Sequence, residues 1–335
     1  MSGGHVVVTG GAGFIGSTLC ALLAASGERV VALDDLANGS PENLADAAAE
    51  AGVTPPELVR ADVRDEAALA RAFAGARAVF HLACLGVRHS LRHPRENHDV
   101  NALGTLLALE AARRLDVPRF VCVSTSEVYG TARRAPMPED HPTVPHTVYG
   151  ASKLAGEGYA RAYHLTWGYP TVVVRPFNAY GPRSHHEGDS GEVIPKFVLR
   201  ALAGRPLVVF GDGTQTRDFT FVEDTARGIL EVGLHPDAPG HTVNLGAGAE
   251  LTINALADLV REVTGRAVPV EHQAPRPGDV LRLLADSRLA AERFGFAPRV
   301  PLRDGLGRLV AWYARQGVDP AALLEREVVR AWEGA

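Results

Sequence analysis

The chain has few of the residues that stabilise secreted domains or span membranes. Its three cysteines, Cys20, Cys84 and Cys122, are too few and too scattered for a disulfide framework or a metal site. All three lie in apolar stretches of predicted helix or strand, so we expect buried free thiols in a reducing compartment. Residues 1–9 lead into a strand instead of a signal peptide, and no apolar run is long enough to cross a membrane. We therefore expect a cytoplasmic protein with no membrane partner.

Lysine is also scarce, because positive charge comes almost entirely from arginine. Lys153 and Lys196 are the two lysines among 34 Lys+Arg, which leaves 32 arginines. The net charge of −5 argues against a general nucleic-acid binder, so no nucleic-acid partner is expected. A hydrophobic content of 46% over 335 residues suffices for a large core, in one large domain or in a large and a small one.

One of these lysines stands four residues after a tyrosine, in the segment Tyr149-Gly-Ala-Ser-Lys153. On a helix, positions four apart share a face, so the ammonium can lie near the phenol. We expect this charge to lower the tyrosine pKa from about 10 toward the range of a general base. Alone, such a pair would more commonly be an exposed lysine beside a half-buried aromatic ring. The remaining motifs favour the catalytic interpretation.

The first of these motifs is a glycine-rich turn between a strand and a helix. The β-branched run His5–Thr9 is followed by Gly10, Gly13 and Gly16 and then by an amphipathic helix that reaches residue 27. In a dinucleotide-binding turn the first glycine permits the tight turn and the second lets the backbone approach a pyrophosphate. The third allows close packing of helix and strand. Strand, turn and helix in this order predict a dinucleotide site.

An acidic pair ends the second predicted strand, which runs from Arg29 to Leu33. Asp34 lies about where an acid should meet the adenosine ribose hydroxyls. A carboxylate there repels a 2′-phosphate, which favours NAD over NADP. The alternative is a turn residue at the end of a strand.

Strands and helices then alternate along the chain. Predicted strands cover Leu58–Ala61, Ala78–Leu82, Arg119–Ser124 and Thr171–Arg175, and predicted helices cover Glu66–Phe73, Asn101–Leu115 and Tyr149–Trp167. This alternation predicts an α/β fold with a Rossmann-type doubly wound parallel sheet.

After Arg175 the predicted elements shorten, and proline and glycine become frequent. We predict that residues 1–178 form an NAD-binding domain and that residues 179–335 are mainly a smaller C-terminal substrate-binding α/β lobe. Strands at Phe219–Glu223 and Val243–Leu245, within the segment 219–247, are expected to return to the first sheet. Residues 320–333 are expected to form an additional amphipathic helix.

Taken together, the motifs resemble those of the extended short-chain dehydrogenase/reductase family, in its nucleotide-sugar epimerase/dehydratase branch. The resemblance covers nearly the whole chain and rests on seven segments: TGGAGFIG at 9–16, HLA at 81–83, STSEVYG at 124–130, YGASK at 149–153, RPFN at 175–178, RDF at 217–219 and RPGD at 276–279. It implies NAD as the cofactor and a nucleotide-diphosphate sugar as the substrate, lying across the C-terminal lobe. It also implies a homodimer that packs through the helices at Asn101–Leu115 and Tyr149–Trp167.

The resemblance assigns a role to each catalytic residue. Tyr149, as phenolate, would take the proton of a sugar hydroxyl while the carbon beneath it gives hydride to NAD. Lys153 would hydrogen-bond the nicotinamide ribose and keep the tyrosine acidic. Thr125 would share the hydroxyl proton through a short hydrogen bond. Without the Tyr–Lys pair, Thr125 would be read as an ordinary threonine of a strand.

The resemblance also implies two sets of binding residues. The cofactor set is Gly10, Gly13, Phe14, Ile15, Gly16, Asp34, Asn38, Asp62, Val63, Leu82, Ala83, Tyr149, Lys153 and Pro176. The substrate set is Asn178, Val193, Phe210, Arg217, Arg276 and Asp279. Arginines suit the substrate phosphates because their guanidinium groups donate two parallel hydrogen bonds. A salt-bridged turn is the alternative for Arg276 and Asp279.

The reaction that follows C4 oxidation depends on Ser126 and Glu127. Dehydratases of this family commonly carry Asp-Glu here, where Asp protonates the leaving C6 hydroxyl and Glu removes the C5 proton. This chain has a serine in place of the Asp, and a hydroxyl is a poor general acid at neutral pH. We therefore expect a 4-epimerase first, a 4,6-dehydratase with Glu127 as the C5 base second, and an NDP-uronate decarboxylase third. Decarboxylases share the motif at 124–130 but typically read YDEGK where this chain has YGASK.

A polar loop at 183–192 contains His185, His186, Glu187 and Asp189. Adjacent histidines on an irregular loop do not easily converge on one ion, and this chemistry requires none, so no metal is expected. The loop is expected to contact the substrate sugar or to be a mobile polar surface. Two other classes of protein with this fold are the alternatives. An NAD(P)-sensing regulator would usually have lost the Tyr–Lys pair, and a plain dehydrogenase would accumulate NADH.

Overall fold

The computed structural model describes residues 4–188 and 190–330 of the chain. Its larger sheet is built from short apolar segments that are buried on both faces, as expected for parallel strands covered by helices. Within the described residues this sheet has seven strands: β1 His5–Thr9, β2 Val30–Asp34, β3 Glu57–Arg60, β4 Ala76–His81, β5 Phe120–Val123, β6 Thr171–Pro176 and β10 Thr242–Leu245.

The strands of this sheet lie in the order β10-β6-β5-β4-β1-β2-β3, and every neighbouring pair is parallel. The order reverses between β1 and β4, where consecutive crossovers leave in opposite directions. In such sheets the crevice at the carboxyl ends of these two strands is the usual ligand site.

Helices cover both faces of the sheet and close two apolar cores. One face carries α1 Phe14–Ala25, α2 Pro41–Ala51, α9 Val222–Leu234 and α11 Arg288–Phe294. The other face carries α3 Glu66–Phe73, α6 Gly104–Arg114 and α7 Val148–Trp167, and the short helices α4 Val87–Arg92 and α5 Pro94–His98 and a π-turn, Asp99–Leu103, lead into α6. This layering confirms the predicted doubly wound fold.

A second lobe follows residue 178 and has its own core. It contains a three-stranded sheet and a two-stranded sheet, formed by β7 Asn178–Tyr180, β9 Thr216–Phe221 and β11 Glu250–Thr252, and by β8 Leu207–Phe210 and β12 Val270–Gln273. Its helices are α8 Val193–Leu202, α10 Ile253–Thr264, α12 Leu302–Gln316 and α13 Pro320–Leu323. The chain passes from the main sheet to this lobe with one residue between β6 and β7.

Ion pairs of one buried arginine, Arg183, connect the segment after β7 to helix α2. The Arg183 guanidinium contacts Asp46 at 2.6 Å and Glu50 at 2.7 Å, both on α2, and donates to the Thr18 hydroxyl at 3.2 Å. Arg183 is almost completely buried, so these contacts replace most of its hydration. They fix the polar loop at 183–192 next to the glycine-rich turn.

Three sequence-based expectations are corrected. The segment Phe219–Glu223 does not return to the main sheet: β9 pairs with β7 and β11 in the second lobe, and helix α9 begins at Val222. The other returning strand, β10, does join the main sheet beside β6. Cys84 is exposed, because β4 ends at His81 and the chain turns into a loop, whereas Cys20 and Cys122 are buried free thiols.

The third correction is the helix expected at 320–333. The chain forms only α13 and a short 3-10 turn, Leu324–Arg326, before it becomes extended, and residues 331–333 lie outside the described chain. The Arg326 carbonyl accepts a hydrogen bond from the Gly188 N–H, and the Val328 carbonyl accepts one from the Lys196 ammonium. Tertiary bonds therefore take the place of helical ones. Among the described residues, no helix is both long and apolar enough to cross a membrane.

Candidate active site

A single cavity lies where the carboxyl ends of β1 and β4 face the second lobe. It brings together nearly all the residues predicted for the cofactor, the substrate and the catalytic step: Gly10, Gly13, Phe14, Ile15, Gly16, Asp34, Asn38, Val63, Leu82, Ala83, Thr125, Ser126, Glu127, Tyr149, Lys153, Pro176, Asn178, Val193, Phe210, Arg217, Arg276 and Asp279. Asp62 is the exception. Its carboxylate is ion-paired with Arg64 at 2.5 Å, which lowers its pKa, and it is not part of the cavity wall.

The glycine-rich turn forms a cradle that side chains would fill. Gly10 has a left-handed backbone (φ +70°), and a Cβ there would lie 2.7 Å from the Ala83 nitrogen. A Cβ on Gly16 would lie 2.0 Å from the Gly10 carbonyl oxygen, so only glycine lets α1 start this close to β1. Gly13 is the N-cap of α1, and no side chain caps the helix. The first N–H groups of α1 are therefore available to a pyrophosphate.

At the end of β2, Asp34 is fixed by two backbone donors. Its carboxylate accepts hydrogen bonds from the N–H groups of Ala12 and Leu36, each at 2.9 Å. Burial raises its pKa, and the two N–H groups oppose that shift. The side chain is thus an oriented acceptor in the cavity wall, at the position expected to meet ribose hydroxyls. The glycine cradle and this acceptor together fit a dinucleotide.

The Tyr–Lys pair lies on α7, which begins one residue earlier than predicted. Thr147 caps the helix by accepting a hydrogen bond from the Gly150 N–H at 3.2 Å. One turn further on, the Lys153 ammonium donates to the carbonyl of Val123, at the end of β5, at 2.6 Å. Lys153 is almost completely buried, and it also lines the cavity.

Thr125 completes the expected catalytic set. It starts the 3-10 turn Ser126–Val128, and its hydroxyl accepts the Glu127 N–H at 3.2 Å. It also hydrogen-bonds the Tyr149 hydroxyl, which lowers the pKa of that tyrosine. The structure therefore brings Thr125, Tyr149 and Lys153 to one wall of the cavity.

The expected lowering of the Tyr149 pKa is nevertheless wrong for the protein alone. Enclosure of the phenol raises its pKa well above the ordinary value, with further raising contributions from Cys84, Glu127 and Glu192 that outweigh the Thr125 hydrogen bond. The lysine does not offset them, since its ammonium is directed at the Val123 carbonyl.

A buried polar network supports the strand ends beneath the catalytic residues. Arg175 makes two hydrogen bonds to Glu157, at 2.8 and 2.6 Å, and a third to the Tyr129 hydroxyl at 2.7 Å. Glu157 also accepts from the Ser124 hydroxyl at 2.6 Å. The motif arginine at 175 is thus part of the scaffold and is not in the cavity wall.

His81 of the HLA motif is likewise structural. Its ring nitrogens contact the hydroxyls of Thr9 at 2.8 Å and Thr105 at 3.0 Å, which links β1, β4 and α6. Burial and the Lys153 charge lower its pKa to about 3, so it is neutral at physiological pH. It orients the following residues, Leu82 and Ala83, which line the cavity.

The two arginines expected to bind the substrate phosphates both contact Asp279, the acid that the resemblance assigns to the nucleotide ribose. Asp279 pairs with Arg217 at 2.6 Å and with Arg276 at 2.5 Å, so the salt-bridged turn and the cavity wall are the same feature. Asn178 lies beside them in the wall, and its buried Oδ1 has no hydrogen-bond partner among the described residues. Two arginines that share one carboxylate leave positive charge for an anionic ligand.

The polar loop contributes to the cavity through His185, whose ring meets Phe14 edge-on with centroids 6.5 Å apart. Ser190 donates to the side-chain oxygen of Asn38 at 2.8 Å, which joins the loop to the cofactor side. Asp189, predicted in the same loop, lies outside the described residues. No cluster of three or more His, Cys, Asp or Glu that could hold a metal ion occurs in the part of the chain that the structure describes.

Several charged residues in the cavity wall are absent from the sequence-based site predictions, among them Arg88 and Glu192. Arg88, on α4, has no ion pair or hydrogen bond within residues 4–188 and 190–330, and burial and Arg276 lower its pKa to about 10. Burial raises the pKa of Glu192 to about 8, and Arg88 opposes that shift. Neither belongs to a recognised motif. The signal that could have found Arg88 is its position seven residues after His81, on the first turn beyond the nicotinamide motif.

The comparison with known families decides the assignment. The sequence profile of the NAD dependent epimerase/dehydratase family matches residues 6–246. The chain belongs to the NAD-dependent epimerase/dehydratase family. Members of this family are enzymes that use NAD, which agrees with the cradle at Gly10–Gly16.

Individual relatives span nearly the full chain but differ in reaction. The UDP-glucose 4-epimerase of Mycolicibacterium smegmatis is 37% identical over 313 residues, covering 92% of this chain and 98% of that protein. A dTDP-glucose 4,6-dehydratase of Streptomyces griseus is 38% identical over 316 residues, covering 92% and 94%. Among solved structures, the dTDP-glucose 4,6-dehydratase DesIV of Streptomyces venezuelae with NAD bound superposes with a TM-score of 0.87 at 35% identity, covering 93% and 97%. Because relatives of similar identity catalyse different reactions, the comparisons do not distinguish between epimerisation and dehydration.

Proposed function

We propose that this enzyme is an NDP-sugar 4-epimerase. The observation that carries the proposal is Ser126, a buried residue of the cavity wall on the 3-10 turn, where a dehydratase of the family would commonly have an aspartic acid. Epimerisation needs oxidation at C4, rotation of the keto sugar and return of the hydride to the other face. Thr125, Tyr149 and Lys153 are sufficient for the proton transfers of this sequence.

The side chains divide the work as follows. The Tyr149 oxygen takes the proton of the C4 hydroxyl and gives it back after the sugar has turned. Thr125 hydrogen-bonds the Tyr149 oxygen, which orients this oxygen toward the sugar and stabilises the phenolate. Lys153 adds a positive charge at the end of β5. NAD, held by the glycine cradle and Asp34, supplies the hydride acceptor and donor.

The substrate diphosphate is assigned to Arg217, Arg276 and Asn178. The two guanidinium groups share one carboxylate at 2.5–2.6 Å, and the Asn178 amide offers a further polar group. Arginine suits this role because its donors match phosphate oxygens in pairs. This arrangement favours a nucleotide-diphosphate sugar over an uncharged sugar.

Dehydration is the second candidate, and the carboxylic acids in the cavity favour it. Glu127 is retained as a potential C5 base, and Glu192, with a pKa near 8, is mostly protonated at neutral pH and could donate the proton that Ser126 cannot. An NDP-uronate decarboxylase is third. The unpaired Arg88 would suit a sugar carboxylate, but the YDEGK segment of such enzymes is absent.

Mass spectrometry of products from UDP-, dTDP-, GDP- and CDP-hexoses and UDP-glucuronate, run in deuterated water, tests the three. An isobaric product with a new retention time and no carbon-bound deuterium supports epimerisation. A product lighter by water and labelled at carbon would establish dehydration. Loss of carbon dioxide from the uronate would establish decarboxylation. Stoichiometric NADH release would replace all three with a plain dehydrogenase.

A homodimer is also proposed, because exposed apolar side chains occur on the predicted interface helices. The cytoplasmic location remains the proposal made from the sequence. Leu165 is 82% exposed and Trp167 52% exposed on α7, and Leu103, just before α6, is 42% exposed. Large exposed apolar side chains on these two helices favour a protein partner. Light scattering should give twice the chain mass, and Leu165→Glu should give the monomer. A monomeric parent protein would exclude this interface.

A further inference from the structure

The end of the described chain is tied firmly to the second lobe. Residues 324–330, which we call the C-terminal segment, begin with the buried Leu324. The Arg326 carbonyl accepts the Gly188 N–H at 2.9 Å, and the Val328 carbonyl accepts the Lys196 ammonium at 2.9 Å. These bonds hold extended backbone against the polar loop and α8.

One enclosed ion pair strengthens this attachment. The Arg200 Nε donates a hydrogen bond to one Glu327 oxygen at 3.0 Å, and the Arg200 Nη2 lies 2.9 Å from the other oxygen. The side chains of Glu327 and Arg200 are only 6% and 12% exposed. Arg200 lies one turn beyond Lys196 on α8, so both cations face the same side of that helix. The Pro206 carbonyl accepts a further Arg200 N–H at 2.9 Å and fixes the guanidinium.

Glu327 and Val329 belong to the wall of the same cavity that holds the catalytic residues. Their neighbours in that wall include Phe197, Val208 and Phe210, all in the second lobe. Asp34 and the glycine cradle are contributed by the other part of the molecule. This portion combines apolar surface from Phe197, Val208, Phe210 and Val329 with charged groups such as Arg200 and Glu327. Such a mixture suits a flat heteroaromatic ring that needs edge hydrogen bonds.

We infer that residues 327–329 form one side of the subsite for the nucleotide base of the substrate, with Glu327 as a positioning residue. The inference rests on the proposed nucleotide-sugar substrate and extends it. NAD requires the part of the cavity bounded by Asp34 and the glycine turn, and the diphosphate of the second nucleotide requires the arginines at 217 and 276. The base of that nucleotide is then directed to the apolar portion that Val329 closes.

The test measures the binding of UDP and dTDP to the NAD-loaded full chain by titration calorimetry. Val329→Trp should obstruct the subsite, and Glu327→Gln should loosen its wall, each weakening nucleoside diphosphate binding about tenfold. Glu325→Gln is the matched control, since Glu325 lies on the same segment but is exposed and makes no ion pair among the described residues. Its affinity should equal that of the parent protein.

Two further measurements separate a base subsite from general loosening. Inorganic pyrophosphate, which has no base, should bind the parent and both variants equally, and NAD content should not change. Val329→Ala serves as a milder variant if Val329→Trp does not fold. If the variants bound UDP and dTDP as tightly as the parent protein does, the inference would be overturned and the proposed function would stand. A parent protein that binds pyrophosphate but no nucleoside diphosphate would overturn both.

Discussion

The Lys153 ammonium donates a 2.6 Å hydrogen bond to the carbonyl of Val123, the last residue of β5. The lysine is thus anchored across 30 positions of sequence to the strand that leads into Thr125. One contact therefore sets the relation between the helix that carries Tyr149 and the strand end that carries its partner hydroxyl. A guanidinium is planar and bulkier, and it cannot occupy this buried position in the same way.

The first prediction follows from this contact. Both Lys153→Met and Lys153→Arg should lower kcat about 100-fold or more, because Met removes the positive charge and the planar Arg guanidinium cannot make the buried Val123 contact in the same way. Steady-state kinetics with the sugar nucleotide that the product panel identifies would measure the effect. A near-normal kcat for Lys153→Arg would show that charge alone matters and that the Val123 contact does not.

The second prediction concerns the proton-transfer residue itself. Tyr149→Phe should reduce turnover about 10²- to 10⁴-fold and leave NAD binding near normal, because only the phenol oxygen is lost. Tyr159→Phe, on the same helix but outside the cavity wall, is the matched control and should keep full activity. Unchanged turnover in Tyr149→Phe would rule out the assigned mechanism.

A third prediction uses the direction of the Tyr149 pKa shift. Enclosure raises this pKa, and the Thr125 hydrogen bond lowers it. Since the ionised phenol is the active base, kcat/KM should rise with pH as the phenol ionises. Thr125→Val removes the lowering interaction, so the rising limb should move to higher pH. Rates measured from roughly pH 6 up to the highest pH at which the protein stays folded would show this, with Thr125→Ser restoring the parent profile. A limb that does not move in Thr125→Val would separate Thr125 from the titration.

The sequence predicted the main sheet and most of the cavity because local patterns carry both. The glycine spacing at 10–16 and the four-residue interval from Tyr149 to Lys153 are short-range signals with a fixed geometric meaning. Arg88 and Glu192 lack such a signal, because their shifted pKa values depend on burial among residues distant in sequence.

Dependence on residues distant in sequence also explains why the helix predicted at 320–333 is wrong. Its apolar periodicity was compatible with a helix, but the bonds from Gly188 and Lys196 come from more than 130 residues away along the chain. No window of local sequence contains them. Likewise, the tyrosine–lysine spacing placed two groups on one helix face but could not show that the ammonium is directed at Val123.

The last prediction concerns the scaffold under the site. Glu157 is completely buried and bonded to Arg175, Ser124 and Arg161, so Glu157→Gln leaves a buried guanidinium without its counter-charge. We expect a loss of about 3 kcal/mol or more in unfolding free energy, measured by denaturant titration. Glu110→Gln, an exposed position on α6, is the control and should change stability by less than about 0.5 kcal/mol.

The stability provided by Glu157 should depend on pH in a defined direction. Burial alone would raise its pKa, but the hydrogen bonds and charge of Arg175 outweigh burial and lower it. A carboxyl whose pKa is lower in the folded state contributes its full stabilisation above its unfolded pKa and loses it as pH falls. The difference in unfolding free energy between parent and Glu157→Gln should therefore be constant near neutrality and shrink below roughly pH 5. A difference that stays constant into the acid range would mean that packing, and not the ionised pair, accounts for the loss.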